Sequence, residues 1–167
     1  MLFGAREGWK VAEDVARAGV PVAVGPVLAL PASRYDPYDA PYANAAVLAR
    51  AGVRVAIVPE DPENARNLVF HAAMACAYGL PRELALRAIT YEPARILGLE
   101  CELGGLAPGR TADVIVTDGD VLDGRSRVDH VLIDGVPVAT GNRQTELYER
   151  YRARLERLRA ATPATER

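Results

Sequence analysis

Long apolar runs are missing from this chain of 167 residues. Half of its side chains are hydrophobic, which excludes a disordered polymer, yet no run of about 18 apolar residues is available to span a bilayer. Cysteine is nearly missing too. Cys76 and Cys101 lie far apart, no signal peptide opens the chain, and two free thiols in a cytoplasmic protein are the expectation. Histidine is limited to His71 and His130, and lysine to Lys10. The net charge of −2 conceals 20 basic and 22 acidic groups, well mixed apart from an Arg-rich end, so no nucleic-acid surface is expected. A chain of this length buries roughly 70% of its extended surface, enough for one substantial core or two small ones.

What is present alternates between helix and strand. Trp9, Ala12, Val15 and Ala16 follow a helical spacing over residues 7–18, Gly19 can close that helix, and residues 20–24 read as a buried strand. The pattern repeats with a helix over 42–51, a stop at Gly52 and a strand over 53–58. Such a repeat predicts consecutive units of a parallel sheet. Between the two units lies a proline-rich loop, 25–41, longer than the usual connection. Tyr35, Tyr38 and Tyr42 along it are expected to pack the loop onto the body, with ligand contact as the rival reading. Residues 67–78 form an almost wholly apolar helix that ends at Gly79.

The stretch from Leu84 to Val138 is the most patterned. Pro81 can take a first-turn position, Thr90 reads as an N-cap for a short helix over 91–97, and Gly98 can take the left-handed closing position. The period then changes: residues 112–117 and 128–133 read as strands joined by a polar loop, and Asp134-Gly135 signals a type I′ hairpin before 136–139. In the last segment, 144–160, Leu147, Tyr151, Leu155 and Leu158 form one apolar stripe on an Arg/Glu helix, suited to docking within the chain or to a dimer contact.

Several separately spaced pieces of this chain resemble one family. Ile89-Thr90, the run Pro93 to Gly98 (PARILG), the run Gly104 to Asp113 (GGLAPGRTAD) and the run Val131 to Gly135 (VLIDG) are similar to the C-terminal signature of the amidohydrolase superfamily, near its imidazolonepropionase-like members. Gly8 to Ala12, Gly19 to Val22, Ala51 to Val53 and Arg66 to Leu68 extend the resemblance over nearly the whole chain. A complete (β/α)8 barrel needs about 250 residues, so only part of the family's fold fits here. The resemblance implies an α/β protein: a partial (β/α) barrel over 1–98, a small β-sandwich-like antiparallel strand segment over 99–141, and a C-terminal amphipathic helix over 142–167. Residues 20–24 and 53–58 would be the last two barrel strands, and residues 1–4 the stub of the one before.

In that family a divalent ion sits on a His-x-His pair, two further histidines and an aspartate that ends the last strand, where it lowers the pKa of bound water. His-x-His is absent here. The resemblance places Glu60 where the aspartate stands, with Asp61 next to it, although residues 59–63 read more economically as a solvated loop and helix approach. Misplacing a catalytic carboxylate by about an ångström can cost roughly 100-fold in rate. His71 reads as a core or interface residue, His130 as an edge residue, and Asp113 and Asp118 as partners of turn amides. The implied function is a C-terminal fragment or subunit of a metal-dependent hydrolase of non-peptide C–N bonds, cyclic amides in type, inactive as an isolated chain. The alternative is a non-catalytic scaffold or interaction module. No cofactor is expected in the isolated chain; zinc or another divalent metal would enter with a partner. The expected partner is a second copy or a chain carrying the missing barrel half, because open sheet edges invite pairing.

Overall fold

In the computed structural model, which describes residues 1–59 and 61–161, the first half of the chain builds a three-stranded parallel sheet from β1 (Leu2–Gly4), β2 (Val22–Val24) and β3 (Val55–Ile57), in the order β1-β2-β3. Leu2 pairs with Val22 and Val22 with Val55, so the three strands end on the same side. Each crossover is helical. A 3₁₀ turn (Gly8–Val11) and α1 (Ala12–Arg17) join β1 to β2, and α2 (Ala40–Arg50) joins β2 to β3. Gly19 and Gly52 close these helices at φ +65° and +89°, conformations that favour glycine. The two expected units are therefore present, with shorter strands. Val53 falls outside the ladder because its N–H donates to Leu48 O at 3.1 Å and finishes the turn after α2.

Strands β2 and β3 are buried along their whole length, with Val22, Val24, Ile57, Leu48 and Leu80 among the largest enclosed side chains. The cover comes from α2 and from three further helices, α3 (Leu68–Ala77), α4 (Arg82–Ala88) and α5 (Tyr91–Leu97). A 3₁₀ turn, Pro62–Asn67, which the sequence pattern did not separate, leads into α3. Pro81 stands at the N-cap of α4 with ψ 137°, one position before the expected first turn. Helix α5 has the expected bounds and Gly98 is left-handed at φ +75°, but Thr90 does not cap it. Its hydroxyl donates back to Leu86 O at 2.8 Å, a competing local bond open to any Thr one turn after a carbonyl.

The second sheet is antiparallel: β4 (Val114–Thr117), β5 (Val128–Ile133) and β6 (Val136–Val138), in that order. Asp134 and Gly135 have φ +50° and +76°, as the type I′ reading requires. Asp113 accepts from Asp134 N at 2.8 Å and Asp118 from Arg127 N at 2.7 Å, the turn-amide roles read from the sequence. The β4–β5 loop ties this sheet to the body: Arg82 donates twice to Asp120, at 2.6 and 2.7 Å, and Leu122 packs against the main core. Helix α6 (Arg143–Ala161) follows, started by Asn142 Oδ1 accepting from Gln144 N and Thr145 N. Its Tyr151, Leu155 and Leu158 are exposed and Leu147 is half-buried, so among the described residues most of the stripe is left on the surface. The architecture is mixed α/β with two small sheets, and no barrel closure is found among the described residues.

Candidate functional site

Parallel strands deliver their C-terminal ends, and the loops that follow, to one face, which is where α/β folds hold their sites. Here that face receives Ala5 and Arg6 after β1, Gly25 to Val27 after β2, and Val58, Pro59 and Asp61 after β3. The strand ends are tightly spaced. A Cβ on Gly25 would lie 2.0 Å from Val58 O, so only glycine admits this approach of β2 to the segment after β3.

Side chains behind the rim lock it in place. Asn44, 1% exposed in α2, donates from Nδ2 to Ala5 O at 2.8 Å and Arg6 O at 3.3 Å, while its buried Oδ1 has no hydrogen-bond partner among the described residues. Arg6 donates to Leu30 O at 3.0 Å and pulls the proline-rich loop over the strand ends. Lys10 pairs with Asp36 of that loop at 2.7 Å, and its hydrogen bonds to Asp36 and then Glu7 raise the pKa of the ammonium group. A cavity of about 10 Å³, the size of one water, lies between Arg6, Trp9, Pro26, Asp36 and Asn44. The sequence pattern overlooked this group. The available signal was Asn44 itself, polar beside Ala45, Ala46 and Leu48 on a covered face.

His71 is the buried centre of the face. It is 5% exposed, and its Nδ1 accepts from Val27 N at 3.1 Å and Leu28 N at 3.4 Å. A nitrogen that accepts two N–H groups carries no proton, so the imidazole is neutral with its proton on Nε2. Burial pushes its pKa below the ordinary 6.5 in the same direction. The reading of His71 as a core residue holds, and it acts as a clamp on the first residues after β2.

Of the two carboxylates expected at a metal, only Asp61 is described. Glu60 lies outside the described residues. Asp61 is exposed and caps the 3₁₀ turn, Oδ1 accepting from Asn64 N at 3.0 Å and Oδ2 from Asn64 Nδ2 at 3.2 Å. His130 sits exposed in the other sheet, opposite Val116 on β4. Tyr42 packs against Tyr78 with ring centroids 5.0 Å apart, as its packing role requires, but Tyr35 and Tyr38 are 80% and 74% exposed. The expected packing of Tyr35 is therefore corrected, since it lies instead under the Arg34 guanidinium at 4.7 Å, whereas Tyr38, though exposed, shares a side-chain hydrogen bond with Tyr78. Among the described residues no group of three or more His, Cys, Asp or Glu is placed to hold an ion. With the His71 Nδ1 lone pair committed to backbone amides and Asp61 the cap of a turn, the described residues do not hold a metal by themselves.

Known proteins resemble this chain in sequence and in fold. A family model described as "Amidohydrolase family" matches residues 31–139. The amidohydrolase TasK of Hapsidospora irregularis is 38% identical over 85 residues, which are 50% of this chain and 9% of that protein. The imidazolonepropionase of Symbiobacterium thermophilum is 33% identical over 109 residues, 63% of this chain and 26% of that protein. The solved amidohydrolase of Thermotoga maritima MSB8 superimposes with a TM-score of 0.71 at 34% identity, over 82% of this chain and 36% of its own. The chain thus spans about a quarter or less of these curated relatives and about a third of that solved structure. With a match over more than half of its length, through the second unit of the parallel sheet and the whole antiparallel sheet, the chain belongs to the amidohydrolase family.

Proposed function

We propose that this chain is the C-terminal part of a metal-dependent amidohydrolase acting on non-peptide C–N bonds of the cyclic-amide type, and that it is inactive alone. On this reading β1, β2 and β3 are the last strands of a (β/α)8 barrel, and β4 to β6 belong to a composite strand segment beside it. The observation that carries the reading is the parallel sheet, whose strand ends meet on one locked face. Its likeness to the Thermotoga amidohydrolase covers 36% of that chain, the share expected of a partial barrel. The remaining histidines, and with them zinc or another divalent ion, would come from the polypeptide that supplies the rest of the barrel. Glu60 is the carboxylate this chain would offer; Asp61 supports the turn that follows.

A second reading, a non-catalytic scaffold derived from an amidohydrolase, is favoured by the lack of any His, Cys, Asp and Glu group placed to hold an ion among the described residues. Metal content and mass in solution separate the two. The chain is purified alone and again after incubation with a lysate of its source. The hydrolase reading expects an assembly heavier than 17.9 kDa that holds one or two equivalents of zinc, with hydrolysis lowered about 100-fold by Glu60→Gln and much less by Asp61→Asn. A metal-free homodimer under both conditions would establish the scaffold instead.

A further inference from the structure

Helix α6 carries four large, exposed apolar side chains: Tyr148, Tyr151, Leu155 and Leu158, with relative exposures of 62%, 57%, 47% and 55%. Their spacing is three, four, three. That is the a-d-a-d repeat of a helical seam, whose average period of 3.5 residues keeps one stripe facing a partner helix. Leu147, the first member of the stripe read from the sequence, falls at a flanking g position in this register and is half-buried.

The charges are not symmetric about the seam. Arg152 and Arg159 occupy e positions and Arg154 a g position, whereas Glu149 and Glu156 occupy b positions on the outer side. Arg152 is paired along the helix with Glu156 at 3.4 Å and Glu149 at 3.8 Å, both on its outer side, so Arg154 and Arg159 carry most of the charge that borders the seam. The apolar stripe is therefore bordered by cations on both sides. A second copy laid antiparallel would bring Arg152 towards its own equivalent and Arg154 towards its own, and a parallel copy would set Arg154 against Arg159. Like charges at these positions select against self-pairing, and the complementary surface is a seam bordered by carboxylates.

We propose that α6 is a docking helix for another polypeptide, and that it pairs with an amphipathic helix carrying apolar a and d positions and acidic e and g positions. The seam covers about two heptads, short of the three to four that sustain an autonomous coiled coil. Its contribution is then that of one module in a larger contact, where a tethered second contact multiplies a modest affinity. This inference does not depend on the hydrolase reading.

The test uses the full chain and a synthetic amphipathic peptide with Leu at a and d and Glu at e and g. A twin peptide with Lys at e and g is the control, and binding is read by fluorescence anisotropy at low and high salt. The expected result is at least about tenfold tighter binding of the Glu-flanked peptide. That preference shrinks as salt rises. Leu155→Glu abolishes binding with helix content unchanged by circular dichroism, and Arg154→Glu narrows the preference without abolishing it. Equal affinity for the two peptides, or binding to neither, overturns the proposal. So does self-association that Leu155→Glu removes, and so does binding to phosphatidylserine vesicles that is lost in Leu155→Glu while neither peptide binds.

Discussion

His71 is the residue on which the most geometry converges. Its Nδ1 serves two backbone N–H groups across 44 and 43 positions of sequence, and protonation would set a third N–H against them. Unfolded, the imidazole titrates near 6.5; folded, burial holds it lower, so between the two values the unfolded chain binds more protons. Its contribution to stability is therefore fully present above about pH 6.5 and falls as pH drops through that interval. Urea unfolding of the chain should give a midpoint that declines between about pH 7 and pH 5, and His71→Ala should lose this component of the slope. The same variant leaves the buried Val27 N–H without its acceptor, a cost of about 1–3 kcal/mol before any loss of packing. An unchanged midpoint for the variant at pH 7 would contradict the clamp. Little of this was legible beforehand. The sequence places His71 on an apolar helix and so in the core, but a bond spanning 44 positions has no local signature. Asp113 and Asp118 are the contrast, since their partners lie in turns that the same stretch of sequence announces.

At the scale of elements, the segments that punctuation marks are the ones the sequence locates well. Gly98 closes α5 after Leu97, and Asp134-Gly135 turns β5 into β6, because a left-handed residue must be present wherever the chain reverses in these ways. The segments it locates poorly depend on contacts between elements. Thr90 has the chemistry of a cap, yet Leu86 O lies within reach and takes its hydroxyl. Tyr35 stands outward because the proline-rich loop is held instead by Arg6, Lys10 and His71. The joint between the two sheets is of the same kind. Arg82 on α4 meets Asp120 in the β4–β5 loop with two hydrogen bonds, and this partner, together with the Leu122 amide, lowers the Asp120 carboxyl to a pKa of about 2. A carboxyl depressed in the folded state keeps its attraction above the unfolded value of 3.8 and loses it as pH falls towards about 2. Replacing Arg82 with Ala should free the loop without unfolding the body. Hydrogen exchange at the Leu122 and Ser126 amides should rise, while exchange in β2 and β3 stays slow. Equal acceleration in both places would mean that the joint is part of the global core.

For the molecule as a whole, the distribution of exposed apolar surface is more informative than its amount. Leu2 and Phe3 are 45% and 72% exposed on β1, and Val11 is 49% exposed. They border an open depression of about 600 Å³ lined also by Val15 and Val22. In the sheet order β1-β2-β3, strand β1 is an edge with N–H and C=O groups directed outward. It is short, one of the devices that natural edges use against pairing, but Leu2, Phe3 and Gly4 include no charge and no proline. If the proposed reading holds, an apolar, uncharged edge next to an apolar depression is where another strand would pair, from the rest of a barrel or from a second copy of the chain. Purified alone, the chain should therefore sediment as species heavier than 17.9 kDa, in proportions that grow with concentration and resist added salt. A charge on the strand should reverse this. Phe3→Lys is expected to return the 17.9 kDa monomer, whereas Leu155→Glu on α6 should leave the assembly intact, because the self-pairing surface is the sheet edge and not the Arg-bordered helix. A single monomeric boundary at every concentration would mean that the β1 edge needs no partner, and the case for a partner completing the parallel sheet would lose its structural ground.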